Sequence, residues 1–243
     1  MKRVVTAVVL GFWVVLVAGG AALAGPWSLE GKTTVASRYI WRGMVIVDDT
    51  VLQPEVNLSR GSLALGLWAN YEPTDATGHA RQITEVDLSG AWSRRLKGAL
   101  ALELGVIHYL FPNTPSPATT EVYATGSWDG PVTLSLSAYQ DVGHIHGTYI
   151  KAGVGRGIKI AGWAELGLGA WVAWGSADYC KGYFGVDSAG LADWGLSGQL
   201  TLSLGRLRLS PGLAWSSVGD EQLREAVSWP ENIMAWVAVG LEL

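Results

Sequence analysis

The stretch Gly190-Leu191-Ala192-Asp193-Trp194-Gly195-Leu196-Ser197-Gly198-Gln199-Leu200-Thr201-Leu202-Ser203-Leu204-Gly205-Arg206-Leu207-Arg208-Leu209-Ser210-Pro211-Gly212-Leu213-Ala214-Trp215-Ser216-Ser217 decides the fold. Up to Leu204, one parity carries Ala192, Trp194, Leu196, Leu200, Leu202 and Leu204. The other carries Asp193, Gly195, Ser197, Gln199, Thr201 and Ser203. After Gly205-Arg206 the pattern resumes, with Leu207, Leu209, Leu213 and Trp215 set against Arg208, Ser210, Gly212, Ala214 and Ser216. Side chains alternate across a strand, so each half has one apolar and one polar face. Two such strands on a minimal turn make an antiparallel hairpin. Alternating segments of about ten residues are what a strand needs to cross a bilayer.

The same unit recurs on both sides of this hairpin. Downstream, a long loop at 218–232 leads to a last strand, 233–243, with Ala235, Val237, Val239, Leu241 and Leu243 on one parity. Upstream, a loop at 175–189 follows a strand at 162–174, itself reached by a turn at 156–160 from a strand ending at Gly155. Before the loop 141–147 come strands 132–140 and 119–128, joined at Asp129-Gly130. The Pro-rich piece 111–118 cannot be sheet and reads as a loop. Earlier strands lie around Leu100–Val106, at 82–93, 62–71 and 51–59, and a first strand spans 29–42. Pro54, which lacks a ladder donor, is expected at a bulge. The total is twelve strands. Connections after odd-numbered strands are long or irregular, and those after even-numbered strands are short. A soluble sandwich also has many short strands but no need to sort its loops this way. Bacterial outer-membrane barrels have this asymmetry. Because hydrocarbon leaves no partner for an open sheet edge, the sheet must close. The expectation is an all-β, up-and-down antiparallel transmembrane β-barrel of about 12 strands, filling residues 25–243 as one domain.

Composition agrees. Charged residues are 16% of the chain, against about a quarter in ordinary globular domains. Gly (32) and Trp (13) are abundant. Residues 1–24 read as a signal peptide: Lys2-Arg3, an apolar run from Val4 to Ala18, and a small-x-small site at Ala22-Leu23-Ala24. Net charge is −4, and about −6 once Lys2 and Arg3 leave with the leader. That is no nucleic-acid surface, which would be basic. The single cysteine, Cys180, excludes an internal disulfide.

The aliphatic parity defines the wall, and ionised groups facing lipid at mid-depth cost about 2–4 kcal/mol for a base and less for an acid. The lumen is therefore expected to hold Arg38, Arg42, Glu55, Glu85, Asp87, Glu103, Lys151 and Glu165, with Glu121, Asp193, Arg208 and Glu242 of the same parity. Such charges either pair into a closed plug or line a water-filled pore that biases solutes. Trp68, Tyr71, Trp92, Tyr109, Trp128, Trp174 and Trp215 fall near strand ends, where an aromatic girdle meets headgroups.

The run Ser37-Arg38-Tyr39-Ile40-Trp41-Arg42-Gly43, followed by Leu52-Gln53-Pro54-Glu55, resembles the start of the TorF-type porins, bacterial outer-membrane barrels with a Ser-x-Tyr-x-x-Arg-Gly pattern. Ser37, Tyr39, Arg42 and Gly43 carry the match. The resemblance implies a porin that passes small solutes, with no named substrate. Its partners would be outer-membrane lipids, small solutes and the barrel assembly machinery, its location the outer membrane with termini in the periplasm. Two other functions compete. His108, of wall parity, would be the centre of an outer-membrane lipid-modifying hydrolase if a serine stood beside it. A closed structural or adhesive barrel would act through the loops at 175–189 and 218–232. His144 and His146 share a parity but lack a third ligand, so no metal and no cofactor is expected.

Overall fold

The computed structural model describes residues 27–242; the expected signal peptide and Leu243 lie outside the described residues. The elements are β1 (Ser28–Ala36), β2 (Tyr39–Trp41), β3 (Met44–Val47), β4 (Val51–Arg60), β5 (Leu63–Glu72), β6 (Gln82–Arg95), β7 (Leu100–Leu110), β8 (Thr119–Asp129), β9 (Thr133–Asp141), β10 (Thr148–Ala161), β11 (Ala164–Gly175), α1 (Ala177–Phe184), β12 (Gly190–Leu204), β13 (Leu207–Val218), α2 (Glu221–Glu225) and β14 (Glu231–Glu242). β1 and β4 to β14 form a closed antiparallel barrel of twelve strands, and β2 and β3 form a separate hairpin. Closure runs from Glu30↔Glu242 to Ala36↔Trp236 between first and last strands. The opening hairpin of the sequence is β12 and β13, in register from Leu204↔Leu207 to Asp193↔Val218, with Gly205 at φ +65° in its turn.

The molecule is apolar outside. Leu65, Leu136 and Leu196 keep 58%, 59% and 54% of their surface exposed. Strands of 9 to 15 residues are long enough to span a hydrocarbon layer when tilted. Among the described residues no helix is long and apolar enough to cross a membrane. Of the aromatics expected in the girdle, Trp128 and Trp174 are exposed on the wall, and Trp215 lies in register with outward Leu196 and Ile233. Trp92 faces outward Leu63 and Leu104. Trp68 and Tyr109 turn inward instead: Trp68 packs on Tyr39, and the Tyr109 hydroxyl donates to Glu121.

Four local expectations change. The first strand stops at Ala36, not Arg42, so Arg38 and Arg42 are not on a barrel strand. Pro54 causes no bulge: its pairing with Thr33 is in register, and the ladder to β5 skips from Leu52↔Tyr71 to Glu55↔Trp68 without a shift. The missing donor is absorbed by a gap in one ladder. Residues 156–160 are strand, not turn: Ile158 and Ile160 continue the outward row of Val154, in which Arg156 also stands, while Lys159 has the opposite parity. Ala192 is fully buried, because a bulge between Ala173↔Asp193 and Trp174↔Leu191 breaks the alternation at that point.

The end of the barrel with the long connections is capped by a small core. Tyr179, Cys180 and Phe184 of α1 pack with Met44, Tyr149, Val218 and Leu223. α1 itself was expected to be loop. Its ends are encoded locally: the Ser176 hydroxyl accepts from the Tyr179 amide, and Gly185 closes it at φ 71°. Asp141 organises the neighbouring loop, accepting from the Thr119 hydroxyl (2.6 Å) and the amides of Gly143 (2.9 Å) and Ile145 (3.1 Å).

Candidate functional site: a hairpin folded into the lumen

Residues 37–50 connect β1 to β4 and carry the β2–β3 hairpin into the barrel. Trp41 pairs with Met44 across a two-residue tip, Arg42-Gly43, and both tip residues have positive φ (47° and 82°). That is the backbone of a type I′ turn, whose twist matches its strands. Gly43 is required twice over: besides its φ, a Cβ there would lie 2.7 Å from the Cβ of Asp193. Asn232 donates to the Gly43 carbonyl (3.3 Å), and Arg38 pairs with Asp48 (2.7 Å), holding the hairpin's base.

From this tip the Arg42 guanidinium reaches β8. It forms a bidentate pair with Glu121, at 2.8 and 2.7 Å, with side chains only 9% and 2% exposed. The Tyr109 hydroxyl donates to the same carboxylate at 2.8 Å. The guanidinium also lies over Trp41, Tyr139 and Tyr149, 4.4, 4.7 and 4.3 Å from the ring centroids. Planar stacking and two-pronged bonding suit arginine and not lysine.

Three cavities follow one another through the interior. One of about 530 Å³ opens among the long connections, with Tyr39, Trp41, Glu72, Glu85, Tyr109 and Tyr183 in its wall. Beyond the hairpin a second, of about 340 Å³, is bounded by Arg42, Tyr149, Lys151, Trp171 and Asp193. A third, of about 260 Å³, lies further along β14, between Lys32, Gln53, Gln199 and Trp236. Trp41 and Tyr109 border the first two, and Met234 the last two. The hairpin is thus the partition between the outermost space and the rest.

The expected lumen residues distribute as follows. Arg42 is at the partition, and Arg38 is at the hairpin's base. Glu55 pairs with Lys32 at 2.6 Å. Glu85 borders the first cavity, and Asp87 follows it on the same face of β6. Glu103 accepts from the Tyr123 hydroxyl (3.0 Å). Lys151 stands 4.9 Å from the Trp171 ring, beside Asp193, which accepts from Tyr149 (2.8 Å) and Trp171 (2.7 Å). Glu165 is exposed near the short-turn end of β11. Sequence reading placed Glu121 and Asp193 on the inner parity but not at a site. It assigned Tyr109 to the headgroup girdle and gave Tyr139 and Tyr149 no role at a site, although aromatic residues on the polar parity were the signal. His108, the residue of the hydrolase reading, shares a hydrogen bond with the Thr120 hydroxyl (2.9 Å). Among the described residues there is no group of three or more metal-ligating side chains.

A closed twelve-stranded antiparallel sheet, greasy outside and polar within, is a β-barrel of the outer-membrane type. The chain belongs to the bacterial family of unknown function described as Gcw_chp, whose model matches residues 20–197. No curated protein matches it. Among solved structures it is similar to the KdgM porin in complex with disordered oligogalacturonate, at 6% identity and a TM-score of 0.52, covering 88% of this chain and 97% of that one. It is also similar to the COG4313 outer membrane channel from Pseudomonas putida F1, at 12% identity and a TM-score of 0.53, covering 90% and 96%. At such identities the likeness is one of fold.

Proposed function

We propose that this protein is an outer-membrane channel of the TorF type that passes small solutes passively through a narrow, charged lumen. Its termini would lie in the periplasm, and the barrel assembly machinery would insert it among outer-membrane lipids. The observation that carries this reading is the file of three cavities along the barrel interior, divided by the Arg42 hairpin. A barrel filled solidly by side chains would leave no such spaces. The fold neighbours KdgM and the COG4313 channel support it. Arg42, Glu85, Asp87, Glu103 and Lys151 would shape the passage, with Arg38 setting the hairpin and Glu55 and Glu165 lying towards the far end.

The test is conductance of the purified protein in planar bilayers, together with swelling of proteoliposomes in small sugars. Discrete openings and swelling are expected. Silence in both would overturn the channel. A second reading, a closed barrel working through its loops, is favoured by the buried Arg42–Glu121 pair and the packed cap; the same silence is what it requires.

A further inference from the structure

We propose that the outermost cavity is a binding site for small organic cations, of the primary-amine or quaternary-ammonium kind. This deepens the channel reading and rests on it for the solute's onward path, though binding itself needs no conduction. At about 530 Å³ the space is of the size that holds small ligands. Tyr39, Trp41, Tyr109, Phe111 and Tyr183 border it, and Trp41 and Tyr183 meet with centroids 4.8 Å apart. Clustered aromatic faces attract a desolvated cation through their quadrupoles.

Charge points the same way. The ionisable residues bordering this cavity are Glu72, Glu85, His79 and His144, together with tyrosines, and no lysine or arginine is among them. Glu72 accepts from the Thr77 hydroxyl. Glu85, only 6% exposed, forms no ion pair with any described residue. Below it, the Oδ1 of Asp87 is buried without a hydrogen-bond partner. Arg42, which borders the second cavity across the partition, is committed to Glu121. Burying a carboxylate without a counter-charge is costly, and a cation seated among these rings would offset that cost. The arrangement is opposite in sign to what a polyanion such as the oligogalacturonate held by KdgM would need. A hard metal ion is also a poor fit, since among the described residues no cluster of ligating side chains is present.

Titration calorimetry of the folded, detergent-solubilised protein with choline tests the assignment, with glucose and glucuronate as neutral and anionic comparators. Choline is expected to bind and glucuronate not to. Glu85→Gln should weaken choline about tenfold, the effect of losing one modest charge interaction. Phe111→Leu, in the loop that opens directly after β7, should weaken it severalfold with no change of charge. Heat-dependent gel mobility checks that both variants are folded. Absence of choline binding, or glucose binding as well as choline with Glu85→Gln indifferent, would overturn the proposal. Conductance without choline binding would sink the cation site and leave the channel. Choline binding without conductance would do the reverse.

Discussion

Arg42 shows how much one residue can be asked to do. It occupies the left-handed region at φ 47°, where a residue with a Cβ is disfavoured by about 1–2 kcal/mol. A bidentate bond to Glu121 and three aromatic faces offset that strain. Removing one member of a buried pair strands the other's charge, a loss of about 3–5 kcal/mol, whereas replacing both by apolar groups is often neutral. Arg42→Met should therefore lower stability far more than Arg42→Met with Glu121→Leu, as read by urea unfolding in lipid vesicles. Equal losses would mean that the pair is not the buried contact described. Cys180 gives a second test at this scale. It is fully buried on α1, and burial raises its thiol above the ordinary range. Maleimide should label it at neutral pH only after unfolding, because the thiolate is the reactive form. Rapid labelling of the folded protein would show that the cap is open.

The barrel strands were legible because their code is local. A period of two needs only neighbours in sequence to be read, and it located every wall strand to within a few residues except the first, read on to Arg42, and the one ending at Gly155. Inward aromatics were prepared locally too. Trp171 lies over Gly195 and Trp236 over Gly212, each ring opposite a glycine of the paired strand, where a Cβ would come within 2.4 and 2.2 Å of it. The hairpin was misread for the same reason that the strands were not. Residues 37–41 alternate like more of β1, and only the positive-φ Arg42-Gly43 tip ends that run. Yet Ala36 and Val51 are direct partners across β1 and β4, so a short turn suffices to join them. Replacing residues 38–49 with a Gly-Asn turn should leave a folded, heat-resistant barrel with single-channel conductance raised severalfold. Unchanged conductance would show that the hairpin is not the constriction.

At the scale of the whole molecule, water and lipid sort the chain. Leu196, near the middle of β12 and 54% exposed, faces what would be the hydrocarbon centre. Leu196→Arg should destabilise the folded barrel in vesicles by about 2–4 kcal/mol. The same change at a lumen position such as Ser197 should cost much less, and equal costs would contradict a lipid-facing wall. Strand number, antiparallel order, the division into long-loop and short-turn ends, and the parity of Glu85, Asp87 and Glu121 all follow from alternation and turn chemistry along the chain. A one-residue slip would turn every side chain over, so the bilayer leaves that pattern no freedom. The tertiary structure alone decided where residues 37–50 go, which rings surround the guanidinium, and which acids remain without a counter-charge. Arg42 and Glu121 are 79 residues apart and meet only after the cylinder has closed. No local period encodes a contact across a lumen, because its energy comes from burying two charges together in a space that the separate strands do not yet enclose.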